Sequence, residues 1–222
     1  MPRPIVFIPG ALRGAEVLSP WSARFPGAVV IELPGKGGLE PFSPVSIEAY
    51  RDHVAARSPE GALIVGQSLG GLVAIAMAAR GWGGIAFDPP MTTTKLWPQQ
   101  YSLRTEMARN PANSALRGFA FEIFGLREDG GLQERIYYSH LAAVRARVDI
   151  VTGDTPLFPP YGAPGPQCVF DAVDAEVAVR NPCIRVHRIS GPHDLLAASP
   201  EACARLIAAR LEDDELSVPA GA

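Results

Sequence analysis

The residues best suited to chemistry surround a serine, Ser68, in the pattern Gly-Gln-Ser-Leu-Gly at 66–70. An apolar run at 62–65 precedes the pattern, and a segment of helical composition at 69–80 follows it. A strand, a sharp turn and a helix in that order present a serine hydroxyl at the tip of the turn, and the helix directs its N-terminal amides toward it. The pattern therefore predicts a nucleophilic serine. The alternative is a chance match in a Gly-rich loop, which the flanking strand and helix disfavour.

A serine hydroxyl needs a base within hydrogen-bond reach before it can act as a nucleophile at neutral pH. The chain has four histidines. His53 falls in a predicted helix before Ser68, His140 in a helical stretch, and His187 inside a predicted strand. His193 directly follows the last predicted strand, at the carboxyl edge where α/β sites form. His193 is therefore the candidate base, and its alternative is an ordinary histidine of a surface loop.

A third group, an acid, should orient the imidazole and stabilise its charged form. Asp154 ends the predicted strand at 148–154 and is the first candidate, with a purely structural role as its alternative. Asp88 ends the strand that follows the serine turn and is the reserve candidate. Asp149 begins its strand at the wrong edge, and Asp194 adjoins His193 too closely to orient its ring. The order serine, aspartate, histidine is typical of sites on α/β sheets.

Backbone amides should stabilise the oxyanion that forms during acyl transfer. Leu69 follows the serine and supplies one N–H group. Ala11, directly after Pro-Gly at 9–10, is the expected second donor, and Leu12 is the alternative. The Pro-Gly pair also ends a strand, and both functions are compatible.

Short apolar runs that end in Gly or Pro alternate with helical segments along most of the chain, which predicts a parallel sheet covered by helices. Between 91 and 147 the alternation stops, and three helical stretches follow one another. The core is therefore predicted at 1–90 and 148–214, with a helical insertion at 91–147 and a frayed tail at 215–222. The strands are expected at 4–8, 28–33, 62–66, 84–88, 148–154 and 184–189, and the helices of the insertion at 95–108, 115–124 and 132–145.

Composition excludes several functional classes for the 222 residues. A net charge of −3 provides no basic surface for nucleic acid. Three widely spaced cysteines predict free thiols in a reducing compartment, and a strand at the start of the chain leaves no room for a signal peptide. No apolar run approaches the roughly 18 residues of a membrane span. We therefore expect a cytoplasmic protein, and the absence of metal-ligand spacing predicts no metal or organic cofactor.

Four stretches occur in the order found in the α/β-hydrolase superfamily, and nearly the whole chain resembles it, starting at that fold's third strand. Two departures concern positions where many members have His, here Pro9 and Lys36. Many members also have two residues between Gly153 and the acid, and here there are none. The four stretches are Phe-Ile-Pro-Gly at 7–10, Glu-Leu-Pro-Gly-Lys-Gly at 32–37, the serine turn at 66–70, and Ile-Ser-Gly-Pro-His-Asp at 189–194.

The resemblance implies an α/β-hydrolase fold and a serine hydrolase of the carboxylesterase or thioesterase type. Ser68 would attack a small-molecule ester or thioester, His193 would transfer the proton, and Asp154 would orient His193. A serine in the turn argues against dehalogenases and epoxide hydrolases, which use Asp there. Acyltransferases, lyases, perhydrolases and cofactor-free oxygenases share the scaffold, as do non-catalytic binding proteins, which a missing acid would favour.

The insertion at 91–147 falls where members of this superfamily place a cap over the active site. Its apolar side chains exceed what the outside of a small helical layer needs, so part of them would line the roof of an acyl pocket. The sequence therefore predicts small to medium apolar acyl groups. No Arg or Lys cluster in the insertion is spaced to hold a phosphate. The apolar candidates are Leu96, Trp97, Leu116, Phe119, Phe121 and Phe124.

Overall fold

A single sheet of parallel strands organises the computed structural model, which describes residues 3–11, 13–35, 39, 42, 44–156 and 167–216. Within these residues six strands pair in the order β2-β1-β3-β4-β5-β6, all parallel. Each lies in a region where the sequence predicts a strand, which confirms the predicted α/β architecture. The strands are β1 Ile5–Ile8, β2 Val29–Val30, β3 Leu63–Gln67, β4 Gly84–Phe87, β5 Val148–Thr152 and β6 Ile184–Arg188.

The sheet is covered on both faces, because its four central strands, β1, β3, β4 and β5, are buried at every residue. Alternate side chains of a strand point to opposite faces. Accordingly Val6 and Ile64 belong to one hydrophobic cluster, and Phe7 and Val65 to the other. This arrangement explains why the strands have continuous apolar sequences instead of alternating ones.

Helices pack on the two faces in different numbers. One face carries the second, third and seventh helices and side chains of the segment 91–147, and the other carries the first, eighth and ninth. Ser46 caps the start of the second helix, since Ser46 Oγ accepts a hydrogen bond from Ala49 N at 3.0 Å. The helices are α1 Ser19–Arg24, α2 Ile47–Ala55, α3 Leu69–Ala78, α4 Trp97–Arg109, α5 Ser114–Phe124, α6 Tyr138–Ala142, α7 Ala172–Ala178, α8 Leu195–Ala198 and α9 Pro200–Leu216.

The predicted helix at 132–145 is wrong over most of its length. Gly125 ends α5 in the left-handed conformation, with φ 66°, and Gln133 N donates to its carbonyl at 2.7 Å. The chain then continues without a helix until α6, with isolated antiparallel bridges between Leu126 and Leu132 and between Thr92 and Ile136. Tyr137 N donates to Met91 O at 2.9 Å. The turn at Gly125 and these backbone pairings override the helical composition of residues 132–137.

Backbone pairing thus ties residues 91–93 to residues 135–137 of the same segment. The C-terminal helix α9 continues to Leu216, past the core boundary predicted at 214. Residues 217–222 of the predicted tail lie outside the described residues. In the part of the chain that the structure describes, no helix is both long and apolar enough to span a membrane.

Candidate active site

Ser68 lies in the sharp turn between β3 and α3, with φ 55° and ψ −115°. L side chains rarely adopt this conformation, so the surrounding structure must enforce it. Small neighbours are required. A Cβ at Gly66 would overlap the backbone carbonyl of Gly70, and a Cβ at Gly70 would overlap the carbonyl of Ile8. The turn predicted from the sequence is therefore formed, and its two glycines pack directly against backbone atoms, which leaves no room for a side chain.

Asp88 occupies the corresponding position after β4 and also has a positive φ, 43°. Backbone pairing continues one residue past each strand. Ser68 N donates to Phe87 O at 2.9 Å, and Asp88 N donates to Val151 O at 2.7 Å. Both side chains consequently lie at the carboxyl edge of the sheet, where sites in α/β proteins form.

The carboxylate of Asp88 holds the ring of His193. The distance from His193 Nδ1 to Asp88 Oδ2 is 2.6 Å, and both residues are buried. Two backbone amides also donate to Asp88, from Val169 at 2.8 Å and from Phe170 at 3.2 Å. Thr152 Oγ1 lies 3.0 Å from Asp88 Oδ1 and can donate to it. These donors compensate the cost of burying the charge.

This geometry determines which nitrogen of His193 is free to act as a base. An ionised carboxylate only accepts hydrogen bonds, so Nδ1 carries the proton that it donates to Asp88. Nε2 of the neutral ring therefore keeps its lone pair. Burial lowers the pKa of His193, but the hydrogen bond and the charge of Asp88 together outweigh burial, so that the pKa lies above its ordinary value of 6.5.

The loop that carries His193 is fixed from two further sides. Gln67, the residue before the serine, donates from Nε2 to the backbone carbonyl of His193 at 2.7 Å. Arg13 forms an ion pair with Asp194, with Nη2 and Oδ2 2.9 Å apart. The residue preceding Ser68 thus positions the loop of the candidate base.

The structure does not bring Asp154, the acid predicted first, to His193. Asp154 is exposed, and its carboxylate accepts a hydrogen bond from Gly191 N at 2.9 Å. This amide holds the pKa of Asp154 below its ordinary value. The backbone around Asp154 is held against Gly191, since Asp154 N donates to Gly191 O at 3.0 Å and a Cβ at Gly153 would overlap that same oxygen. The Asp154 carboxylate therefore pairs with this backbone and not with His193. The reserve candidate, Asp88, occupies the position expected of the acid.

Ser68 and His193 line a common cavity of about 220 Å³. Its walls combine the carboxyl edge of the sheet with five side chains of the segment 91–147. Among the described residues, none of the other three histidines lines it. The lining residues are Gly10, Ala11, Arg13, Gln67, Ser68, Leu69, Leu72, Pro90, Leu96, Gln99, Ile123, Phe124, Tyr137, His193 and Asp194.

Two of the six apolar side chains predicted for the roof, Leu96 and Phe124, line this cavity. Leu116 and Phe119 line a neighbouring cavity of about 500 Å³. Trp97 is 56% exposed. The remaining one, Phe121, lies under the guanidinium of Arg135, with 4.6 Å between Cζ and the ring centroid.

The predicted oxyanion donors flank the serine. Leu69 is the first residue of α3, and Ala11 follows Gly10, at which a Cβ would lie 3.4 Å from Ser68 Cβ. Leu69 and Ala11 line both the 220 Å³ cavity and the neighbouring one. Leu12, the alternative donor, lies outside the described residues. So does Lys36 of the stretch 32–37.

The other histidines have structural surroundings. His53 Nε2 lies 3.0 Å from Glu32 O, and burial lowers the pKa of His53. His140 stacks on the ring of Tyr137. His187 Nε2 lies 2.8 Å from Asp149 Oδ1, near the opposite end of β5.

The backbone donors to Asp88 were not predicted, and neither was the role of Gln67. Amides of Val169 and Phe170 leave no sequence signal, because any residue except proline supplies one. Gln67 could have been found from the sequence, because it directly precedes Ser68 and its side chain therefore starts at the edge of the sheet where the site forms.

A family model described as "Alpha/beta hydrolase family" matches residues 5–219. The chain is 33% identical over 139 residues to the pimeloyl-[acyl-carrier protein] methyl ester esterase of Sodalis glossinidius (strain morsitans). That match covers 57% of this chain and 48% of the relative, so the chain spans about half of the relative's length.

Solved structures with the same fold are more distant in sequence. The enol-lactonase from Burkholderia xenovorans LB400 gives a TM-score of 0.69 at 15% identity and covers 96% of this chain and 92% of its own. E-2-(acetamidomethylene)succinate hydrolase gives 0.67 at 19% identity, over 95% and 91%. Together with the family model, which matches nearly the whole sequence, these findings show that the chain belongs to the alpha/beta hydrolase family.

Proposed function

We propose that the protein is a serine hydrolase that cleaves small to medium apolar carboxylic esters or thioesters through an acyl-enzyme. The observation that carries this proposal is the 2.6 Å contact between Asp88 and His193, in a cavity that Ser68 also lines. The curated relative is an esterase, which favours ester hydrolysis within the family. In this proposal Asp88 replaces Asp154 as the acid.

Acylation begins when Ser68 Oγ attacks the substrate carbonyl carbon and Nε2 of His193 takes the hydroxyl proton. The carbonyl oxygen becomes an oxyanion, which the N–H groups of Leu69 and Ala11 stabilise. The charge of Asp88 stabilises the imidazolium of His193. As the tetrahedral intermediate collapses, the bond to the leaving oxygen or sulfur breaks, and His193 returns the proton to that atom.

Deacylation repeats these steps with water as the nucleophile. His193 Nε2 takes a proton from the water molecule while the water oxygen attacks the acyl carbon. The proton then passes to Ser68 Oγ as the acyl–enzyme bond breaks. The products are a carboxylic acid and the free serine. The apolar side chains Leu96, Ile123 and Phe124 make the cavity suited to an apolar acyl group. We propose accordingly that the segment 91–147 acts as a cap.

Labelling with a fluorophosphonate tests the nucleophile directly. The wild-type protein should gain one adduct, with peptide mapping placing it on Ser68, and Ser68→Ala should gain none and lose hydrolysis of p-nitrophenyl butyrate. Because the serine is partly exposed in its turn, Ser68→Ala should unfold near the wild-type temperature. Unchanged hydrolysis by a correctly folded Ser68→Ala variant would refute the proposal.

The non-catalytic alternative depended on a missing acid, and the position of Asp88 argues against it. Acyl transfer is separated from hydrolysis by adding an alcohol acceptor. If most of the acyl group from p-nitrophenyl butyrate appears as a new ester at millimolar acceptor concentrations, the protein is an acyltransferase and the hydrolase proposal fails. If it appears as free butyrate, hydrolysis is supported.

A further inference from the structure

Gln99 of α4 is a polar residue in the mostly apolar part of the cavity wall that the segment 91–147 provides. It lines the 220 Å³ cavity together with Leu96, Ile123 and Phe124. Its Oε1 is buried and has no hydrogen-bond partner within the described part of the chain. An unpaired buried amide oxygen is destabilising, so a group retained in this state invites an explanation.

The neighbouring glutamine shows that α4 can satisfy such a group. Gln100 is buried, and its Nε2 donates to Thr93 O at 2.9 Å and to Phe124 O at 3.1 Å. Gln100 thus connects three parts of the segment 91–147. The side chain of Gln99 makes no such hydrogen bonds to the described residues, so a structural role does not explain why a glutamine is present at this position.

Other polar groups of the cavity have partners within the protein. The hydroxyl of Tyr137 donates to Ile123 O at 2.8 Å, and Arg13 pairs with Asp194. Gln67 Nε2 is held by the His193 carbonyl. Gln67 Oε1 is also unpaired, but the amide of Gln67 is anchored through its Nε2, whereas the side chain of Gln99 makes no hydrogen bond to the described residues. Gln99 therefore differs from them because it lines the cavity from the α4 side with an amide group that no described residue holds.

We propose that Gln99 selects substrates whose acyl group carries a neutral polar group, such as a carboxamide, on an otherwise apolar chain. An amide side chain both donates and accepts, so it pairs well with another amide. A neutral group is favoured over a charged one, because the charge of Arg13 is already paired with Asp194 and the neighbouring walls are apolar. The inference rests on the proposed function and specifies its substrate class.

The test compares pairs of p-nitrophenyl esters that differ only at the end of the acyl chain. One member is the monoamide of a dicarboxylic acid, and the other has an isopropyl group in place of the carboxamide, with nearly the same shape. A series from succinic to suberic monoamide covers the possible positions of the polar group. The measured quantity is the ratio of kcat/KM within each pair, for wild type and for Gln99→Met, which keeps the length of the side chain.

The wild-type protein should prefer the carboxamide at one chain length, and Gln99→Met should shift the ratio by about tenfold toward the isopropyl ester. Gln133→Met, an exposed glutamine of the same segment, is the matched control and should leave the ratio unchanged. A wild-type preference for the isopropyl member at every length would overturn the inference. An equal loss with both members in Gln99→Met would also overturn it.

Binding to Ser68→Ala separates this inference from the proposed function. Calorimetric titration with the methyl esters of the same pairs measures the preference without turnover. If the protein hydrolyses no ester but binds the carboxamide member more tightly, only the proposed function fails. If hydrolysis depends on Ser68 but the preference does not depend on Gln99, only the inference fails.

Discussion

Ser68 and Asp88 each lie one residue beyond a pair of facing residues in neighbouring strands, Gln67 of β3 and Phe87 of β4. Ser68 has a φ of 55° and Asp88 a φ of 43°. Among the described residues, no other non-glycine residue has a positive φ. Each backbone N–H still bonds to the adjacent strand, while the chain turns sharply afterwards. The sheet register therefore fixes the separation of Ser68, the proposed nucleophile, and Asp88, the proposed acid, at one edge, and His193 joins them from the loop after β6.

The glycines of the serine turn should be intolerant of even a methyl group. In Gly66→Ala the new Cβ would overlap the carbonyl of Gly70, which is backbone and cannot move aside cheaply. We expect loss of ester hydrolysis and a free energy of unfolding lower by about 3 kcal/mol or more. Thermal and urea denaturation measure the second quantity.

Gly118 of α5 is the matched control. A Cβ there meets no atom within 4 Å, and alanine has the higher helix propensity. Gly118→Ala should keep the activity and raise the free energy of unfolding by roughly 0.5–1 kcal/mol. Equal stability of the two variants would contradict the tight packing described for the turn.

Replacing each candidate acid by asparagine should show which of the two orients His193. Asp88→Asn should lower kcat by about two to four orders of magnitude, because asparagine does not stabilise the imidazolium and favours the wrong tautomer of His193. Asp154→Asn should stay within about threefold of wild type, since its amide oxygen can still accept from Gly191 N. A larger loss in Asp154→Asn would return the acid role to that residue.

The pH profile provides an independent readout of the same pair. Asp88 raises the pKa of His193, and only the neutral ring can act as the base. The activity of wild type should therefore decline as the pH falls through a value above 6.5, the ordinary pKa of histidine. In Asp88→Asn this acid limb should move to lower pH. An unchanged limb would mean that a group other than His193 controls it.

The sequence predicted local geometry better than it predicted distant partners. The serine turn is recognisable because small residues at fixed spacing are needed within one strand-turn-helix unit. The choice between Asp88 and Asp154 depends on the direction of the chain after Gly153, which contacts Gly191 far along the sequence. Both strands end at the same edge, so strand position alone cannot distinguish the two acids.

A cluster of charges around Asp149, near the other end of β5, should control stability in acid. Asp149 is buried and accepts from Arg210 Nη1 at 2.8 Å, with His187 also at 2.8 Å and Arg147 nearby. Burial raises the pKa of Asp149, but the bond from His187 and the charges of Arg147 and Arg210 outweigh burial and lower it below 3.8.

A carboxylate whose pKa falls on folding stabilises the native state above its unfolded pKa, and this contribution disappears as the pH drops through the folded pKa. Asp149→Asn should therefore lower the free energy of unfolding by about 3 kcal/mol at neutral pH, and the difference should shrink below about pH 4. Asp52→Asn, in an exposed ion pair, is the control and should have little effect. Urea titrations from neutral pH to below pH 4 measure the free energy of unfolding of each variant. A difference between wild type and Asp149→Asn that does not depend on pH would contradict a lowered pKa of Asp149.

The length of the preferred acyl chain should follow from the volume of the cavity. Each methylene buried in contact with Leu96, Ile123 or Phe124 contributes about 0.8 kcal/mol until the 220 Å³ are filled. For p-nitrophenyl esters from acetate to palmitate, kcat/KM should rise to a maximum at short or medium chains and then fall. A value that rises up to palmitate would indicate an open groove and contradict a closed roof.

Phe124→Leu enlarges the cavity and should move this maximum to longer chains, because the removed ring volume becomes available to the acyl group. Phe119→Leu is the same change in the same helix, but Phe119 lines the neighbouring cavity of about 500 Å³. It should leave the maximum in place. The two rings pack edge to face with centroids 5.5 Å apart, so both variants lose this contact. Because Phe124 is buried and Phe119 is only partly buried, thermal unfolding should show the larger loss in Phe124→Leu. If Phe119→Leu moves the maximum and Phe124→Leu does not, the acyl chain occupies the neighbouring cavity, which Ala11 and Leu69 also line.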